Sequence, residues 1–245
     1  MIHLFIYGWD MGRPRSPDFL DRLLRAGLGV FAERGLKRAR IGDIADRMGA
    51  AHGTIYNYVE SKEALFWLLV DRGLTSEPIE IPEELPVRAP TPERVLERLA
   101  EQIVAAFPLP KLDAALARRR VSDAAAELDD VLAELYDRTL ATRQLAAAIE
   151  RSSMDLPEMF QLFFVRVRRG LFAQVQAYIE KRVKSGHFLA VGNAEAAAHY
   201  LLETITVFAR HRFADPDPMQ ASEQQIRATT LHLLSRSFID SKDTP

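Results

Sequence analysis

The chain has 245 residues, 48% of them hydrophobic and 27% charged, the proportions of a globular protein with a substantial core. It contains no cysteine, which excludes disulfide frameworks, thiolate metal sites and cysteine nucleophiles and fits a reducing cytoplasm. The net charge of −2 hides an asymmetry: residues 11–62 carry ten Lys/Arg against six Asp/Glu, and residues 63–245 carry 22 against 27. A basic head on an acidic body is the distribution of a protein that meets phosphate at one end.

Residues 1–15 read as an N-terminal arm. The first ten, MIHLFIYGWD, are apolar but lack a basic n-region and a small-residue cleavage site, so they do not read as a signal peptide. Either translation begins at Met11, or these residues are an extra packing segment. Arg13 and Arg15 flank Pro14 in a basic arm that cannot be helical. Such an arm either reaches the DNA minor groove or adds nonspecific attraction as a basic tail. No apolar run approaches the ~20 residues that cross a bilayer, so no membrane partner is expected.

Ser16-Pro17-Asp18 reads as N-cap, N1 proline and first-turn acid. Leu20, Leu23, Leu24, Leu28 and Phe31 follow as one apolar stripe, and Gly35 reads as the stop. Ile41, Ile44, Ala45 and Met48 make one face of a short second helix, and Gly49 suits the tight turn after it. A third helix is expected over 51–58 with Ile55 as its inward anchor. Ser61-Lys62-Glu63 then opens a fourth, with Leu65, Phe66, Leu68 and Leu69 as its apolar surface.

Between 75 and 91 proline recurs every four residues with glutamates between, which forbids a helix and predicts an extended acidic linker at a domain boundary. Beyond it everything reads helical. Helices are expected from Thr91 to Phe107, over 111–119, from Ser122-Asp123 to about Ser152, and from Pro157 to Ser185. Two more open at Asn193 and at the Ser222/Gln225 capping box. The expectation is an all-α fold of about ten helices. A helical head occupies 16–74, the linker 75–91, and a larger helical body 92–240.

The stretch 41–62, IGDIADRMGAAHGTIYNYVESK, offers more chemistry than any other. A helix-turn-helix needs a hydrophobic seam, a small residue in the turn and polar side chains on the outer face of its second helix. Ile41, Ile44, Ala45, Met48 and Ile55 supply the seam, and Gly49 the turn. His52, Thr54, Tyr56, Asn57 and Tyr58 form the outward set, and Gly53 permits close backbone approach. Lys62 at a helix start suits phosphate. By pattern these residues fit a DNA reader, with the motif at about 40–59, or a plain helical hairpin.

The run 23–70 resembles the DNA-binding head of the TetR family of bacterial transcriptional regulators. Its carriers are Phe31-Ala32-Glu33-Arg34-Gly35, Ile44-Ala45, Gly49, Gly53-Thr54-Ile55-Tyr56, Tyr58 and Ser61-Lys62-Glu63-Ala64-Leu65. The resemblance implies a dimeric, ligand-responsive regulator, usually a repressor, that binds a palindromic double-stranded operator and is released by a small molecule. A transcriptional activator of the same fold and a helical protein-interaction module are the alternatives. By position it implies phosphate contact or shaping of the recognition face for Thr54, Tyr56, Tyr58 and Lys62, and base approach for His52 and Gly53. Two residues depart from the pattern: Ala51 replaces the usual Ser or Thr cap of the recognition helix, and Arg40 stands where a Ser or Thr often opens the second helix. Arg40 can still hold phosphate by charge.

The resemblance also implies that the last two major helices pair between subunits, which points to the Pro157 helix with either the Asn193 or the Ser222 helix. Phe107, Tyr136, Phe160, Phe164, Phe172 and Tyr178 are the residues with which the body would line a pocket for an apolar or amphipathic effector. The arginine rows 118–120 and 166, 168, 169 read as solvated and matched by acids such as Asp123 and Glu127. The six histidines show no metal-ligand spacing, and no P-loop, GxSxG or dinucleotide fingerprint is present, so neither metal, cofactor nor enzyme is expected.

Overall fold

The computed structural model describes residues 16–72, 81–106 and 108–239. Arg13, Arg15 and Phe107, and the first part of the Pro/Glu segment, lie outside these. Among the described residues the chain is helical, with a single isolated parallel bridge between Val59 and Val87.

The head is built from α1 (Pro17–Arg38), α2 (Ile41–Met48), α3 (His52–Ile55) and α4 (Lys62–Arg72). Its core gathers Leu20, Leu23, Phe31, Ile44, Ile55, Leu65 and Phe66, with Phe31 and Phe66 edge to face at 5.3 Å. Gly27 lets α4 lie close to α1, because a Cβ there would fall 2.6 Å from the Leu65 side chain.

The body comprises α5 (Pro92–Ala106), α6 (Pro110–Ala117), α7 (Ala124–Ser153), α8 (Pro157–Phe160), α9 (Arg169–Lys184), α10 (Ala194–Ala209) and α11 (Glu223–Arg236). Local chemistry starts three of these where the sequence reading put them. Asp123, Asn193 and Ser222 accept the backbone N–H three residues on, and Gln225 returns a bond to Ser222. Residues Gln161–Arg168 depart from expectation: they form a π-helical stretch, so the single helix expected from Pro157 is wound more widely between α8 and α9.

Two hydrophobic clusters meet along α7. Leu128, Val131, Leu132, Leu135 and Tyr136 belong to a body core with Val175, Tyr178, Leu201, Ile205 and Phe238. Farther along the same helix, Leu145, Ala148 and Ile149 belong to the head core. Met159 and Leu162 join them there, as does Leu99 of α5. The cores therefore do not divide at the Pro/Glu segment, and α1 packs along α7 in the most extensive helix–helix contact among the described residues.

The described part of the Pro/Glu segment is non-helical, bends over 83–86 and docks on the head. Val87 donates its N–H to the Tyr58 carbonyl at 2.8 Å and accepts from the Glu60 N–H at 3.0 Å. Leu85, Val87 and Ala89 are half-buried on the head core.

The body also encloses an ion network. Arg182, 2% exposed, donates to Glu127, 5% exposed, at 2.6 Å. It also donates to the Ala115 carbonyl at 2.6 Å. Arg118 approaches the other Glu127 oxygen at 2.9 Å, and the Tyr178 hydroxyl bonds the first at 3.4 Å. Burial is the main cause that pushes the Tyr178 phenol up from its ordinary value, with the neighbouring Glu127 charge adding to it.

Candidate nucleic-acid interface

The interface is built from α2 outward. At its C-terminal end Gly49 takes φ 64°, the Ala50 N–H returns to the Ala45 carbonyl and the Gly49 N–H to that of Asp46, a left-handed cap that only glycine adopts cheaply. Arg22 of α1 donates to the Met48 carbonyl at 2.8 Å, closing the same end. At the N-terminal end Arg40 occupies the cap position, and its backbone N–H is bonded to the Asp43 carboxylate at 3.0 Å. Arg34 holds the other Asp43 oxygen at 2.9 Å. The acid three residues into the helix thus supplies the reciprocal bond of a capping box, holding the cap residue's own N–H, a role the sequence reading did not assign to Asp43.

The third helix is shorter than expected. Its α-helical part is His52–Ile55, and residues 56–58 continue as a turn in which Asn57 and Tyr58 bond carbonyls three residues back. Two causes combine. Ala51 offers no side-chain acceptor to the first amides. At the other end Tyr58 is drawn inward and Val59 is committed to the bridge with Val87.

The proposed contact residues fall into two groups. His52, Gly53, Tyr56 and Asn57 are exposed and Thr54 is half-buried, with Ile55 fully buried beneath them as the anchor. Tyr56 is 49% exposed, an unusual cost for a large aromatic that has nothing to cover. The His52 ring lies over Gly42, where an added Cβ would stand 3.2 Å from Cε1. Arg40 is exposed at the cap position of α2.

Tyr58 and Lys62 are placed differently. Tyr58 is buried, its ring stacked on Phe19 at 4.8 Å and its hydroxyl accepting the Ser16 N–H at 2.9 Å. The Lys62 ammonium donates to the Lys37 and Ala39 carbonyls at 2.8 and 3.0 Å, tying α4 to the end of α1. Much of the head's positive charge is likewise engaged internally: Arg25 with Asp21, Arg34 with Asp43, Arg47 with Glu33 and Arg38 with Asp155. Three of these four pairs use acids already counted in the head, so its basic surplus persists, with Lys37 and Arg40 exposed.

The aromatic set named for an effector is dispersed. Tyr136 and Tyr178 are core residues with their hydroxyls bonded to Glu223 and Glu127. Phe160 and Phe164 lie tilted against one another with ring centroids 4.9 Å apart, Phe164 within the π-helical stretch. Phe172 packs against His199 at 4.1 Å and lines a cleft of about 340 Å³ between α9 and α10, with Arg168 and Gln176. Among the described residues no cluster of His, Cys, Asp and Glu is arranged to hold a metal, and no helix is long and apolar enough to cross a membrane.

With this geometry in hand, comparison with known proteins is specific for the head. Residues 23–67 match the family model of bacterial regulatory proteins, tetR family. The chain is 40% identical over 55 residues to YvdT, an uncharacterized HTH-type transcriptional regulator of Bacillus subtilis, covering 22% of this chain and 28% of that protein. It is 42% identical over 45 residues to the HTH-type transcriptional repressor KstR2 of Mycolicibacterium smegmatis, covering 18% and 22%. The aligned part thus spans about a quarter of the length of these curated relatives. The whole fold is similar to that of the ketosteroid transcriptional regulator KstR2 of Mycobacterium tuberculosis, with a TM-score of 0.53 at 15% identity, covering 94% of this chain and 98% of that one.

Proposed function

We propose, from the premise that residues 23–67 belong to the TetR family of bacterial regulatory proteins, that the chain is a non-enzymatic, ligand-responsive transcriptional regulator acting on DNA in the cytoplasm. The observation that carries the reading is the exposed set of His52 and Gly53 on α3 and Tyr56 and Asn57 in the turn that follows it, above the fully buried Ile55. Rigid mounting with polar and aromatic groups outward is what entry into a major groove requires. Thr54 and Arg40 add phosphate contacts at its margins. In this reading Tyr58 and Lys62 shape the reader from behind.

The division of labour follows the sequence: a DNA-reading head over 16–74, the Pro/Glu segment 75–91, and a body over 92–240 that dimerises and receives the effector. Two half-sites need a two-fold protein, so the operator is palindromic and the regulator a homodimer. The pair α9 and α10 supports the subunit interface better than α11. Gly170, Ala173 and Ala177 are exposed along α9, and Tyr200 and Val207 lie outward on the adjoining α10. Small residues beside large apolar ones suit close helix packing. Action as a repressor is supported by the similarity of the head to that of the transcriptional repressor KstR2 of Mycolicibacterium smegmatis. The Leu-, Phe- and Ala-rich body favours an apolar or amphipathic effector.

The reading is tested by incubating the full-length protein with fragmented genomic DNA and sequencing what it retains. Recovery of a shared inverted repeat, with half-sites about one helical turn apart, supports it. Recovery of no common sequence at low salt removes it.

A further inference from the structure

α2 contains a glycine that its backbone does not require. Gly42 is the second residue of this helix. It is not among the glycines of positive φ, which among the described residues are Gly35, Gly49 and Gly186. Glycine is the poorest helix former after proline, so alanine would suit this turn better. What fills the place of the missing side chain is the imidazole of His52. A Cβ on Gly42 would stand 3.2 Å from its Cε1 and 3.6 Å from its Nε2. The first turn of α2 thus carries a notch, and the ring lies in it. His52 is exposed, and among the described residues its ring makes no hydrogen bond or ion pair. Packing, not a polar partner, sets its direction. α3 cannot set that direction alone: it is a single turn, His52–Ile55, without a side-chain cap from Ala51. His52 is its first residue, where a helix is least constrained.

We propose that Gly42 is a specificity-determining positioning residue of the reader: its bare backbone holds the His52 imidazole at the angle from which the ring meets one base edge. This rests on the DNA-reading role proposed above. A neutral imidazole offers one donor and one acceptor. Sequence is read in the major groove by matching such groups to the donor and acceptor pattern of one base pair. A ring free to turn about its two side-chain torsions presents them over a range of positions and discriminates less. A ring confined in the notch has lost that freedom before the duplex arrives, so binding does not have to remove it. Gly42 acts through His52 and needs no contact of its own with DNA. The notch gives up helix propensity in α2 to fix a reading group on α3.

The experiment compares full-length wild type, G42A, G42Q, H52A and G42Q/H52A. Each is titrated with the DNA selected by the wild type and with every single-base variant of one half-site. G42A requires the ring to give by a few tenths of an ångström, and the longer glutamine displaces it. H52A is expected to lower discrimination about tenfold at one base pair of the half-site. G42Q is expected to lower it at the same base pair by about fivefold or more and G42A by less, with the other positions within about twofold. In the H52A background G42Q should add nothing, which separates lost positioning from damage to α2. Melting temperatures at or above that of the wild type are expected for both glycine variants, since each favours the helix. Should G42Q melt lower, G42A is judged against H52A in the same way. The proposal is overturned by a glycine variant with an unchanged base profile, by a loss spread over all positions, by an equal loss in the H52A background, or by H52A without a position-specific loss. If the wild type selects no DNA, the DNA-reading role fails and this proposal with it. Selection by the wild type with an unaltered G42Q profile removes the positioning role alone.

Discussion

The hydroxyl of Tyr58, at the end of the reader, accepts the backbone N–H of Ser16, at the start of the first helix, at 2.9 Å. This bond closes the head on itself across 42 residues and turns a tyrosine listed by its sequence position among the DNA-facing residues into a support for them. Its neighbour Tyr56 points the other way, 49% exposed. The two tyrosines therefore make opposite predictions. Y58F should lose about 1 kcal/mol of stability, seen as a melting temperature lower by about 2–4 °C, with operator affinity nearly unchanged. Y56A should leave the melting temperature within about 1 °C, because surface substitutions cost little, and weaken operator binding.

Arg40 and Asn57 separate phosphate contact from base reading. R40A should weaken binding to all sequences alike and reduce the slope of log affinity against log salt by about 1. N57A should cost about 1–3 kcal/mol on the selected operator and relax base preference at one position of each half-site. Fluorescence anisotropy titrations at several salt concentrations, on the operator and on single-base variants of it, distinguish the two patterns.

Glu127 and Arg182 are both buried and bonded to each other, so removing one leaves the other charge without its partner. R182M should destabilise the protein by about 3–5 kcal/mol, measured by urea unfolding. E127Q should be similarly costly, while the double variant E127Q/R182M should recover a large part of the loss.

The Tyr178 phenol gives the alkaline limb of stability its direction. Burial raises its folded-state pKa above the ordinary value of 10.0, so above that pH the unfolded chain releases a proton that the folded chain keeps. The contribution of Tyr178 to stability is accordingly full below pH 10.0 and is lost as pH rises beyond it. Y178F, which has no phenol to ionise, should show a shallower fall than wild type when unfolding is followed by urea titration between about pH 9 and 11.

The subunit interface proposed on α9 and α10 is tested at Val207, which is exposed in the single chain. V207E should leave the secondary structure intact, shift the sedimentation profile from dimer to monomer, and weaken operator binding by about a hundredfold or more through loss of the second half-site. The same substitution type at the exposed Leu233 of α11 should leave the dimer in place.

Features set by near neighbours could be read from the sequence. The Asp123, Asn193 and Ser222 caps and the Gly49 turn each depend on residues within three or four positions, and all appear where expected. The exposed set on α3 was legible for the same reason, since Ile55 alone fixes which face turns inward. What distant partners decide was not legible. Tyr58 turns inward because Ser16 and Phe19 meet it, and Lys62 faces the α1 carbonyls because the Gly35 break brings them there. Arg34 and Arg47 are matched by Asp43 and Glu33, acids on the facing helix that a charge count along the chain adds up without pairing. Residues 81–91 of the Pro/Glu segment are non-helical, as the proline spacing requires, but their docking depends on the Val59–Val87 bridge, which no local pattern announces.

The central claim is that the exposed residues of α3 and of the turn after it read a specific duplex. Its most direct test is the affinity of the full-length protein for the selected operator against a scrambled duplex of the same length and composition, titrated between about 50 and 200 mM salt. The account predicts binding to the operator about 10³-fold tighter than to the scrambled duplex, a steep loss of both affinities with salt, and collapse of the difference in Y56A/N57A. Equal affinity for the two duplexes at every salt concentration would contradict it.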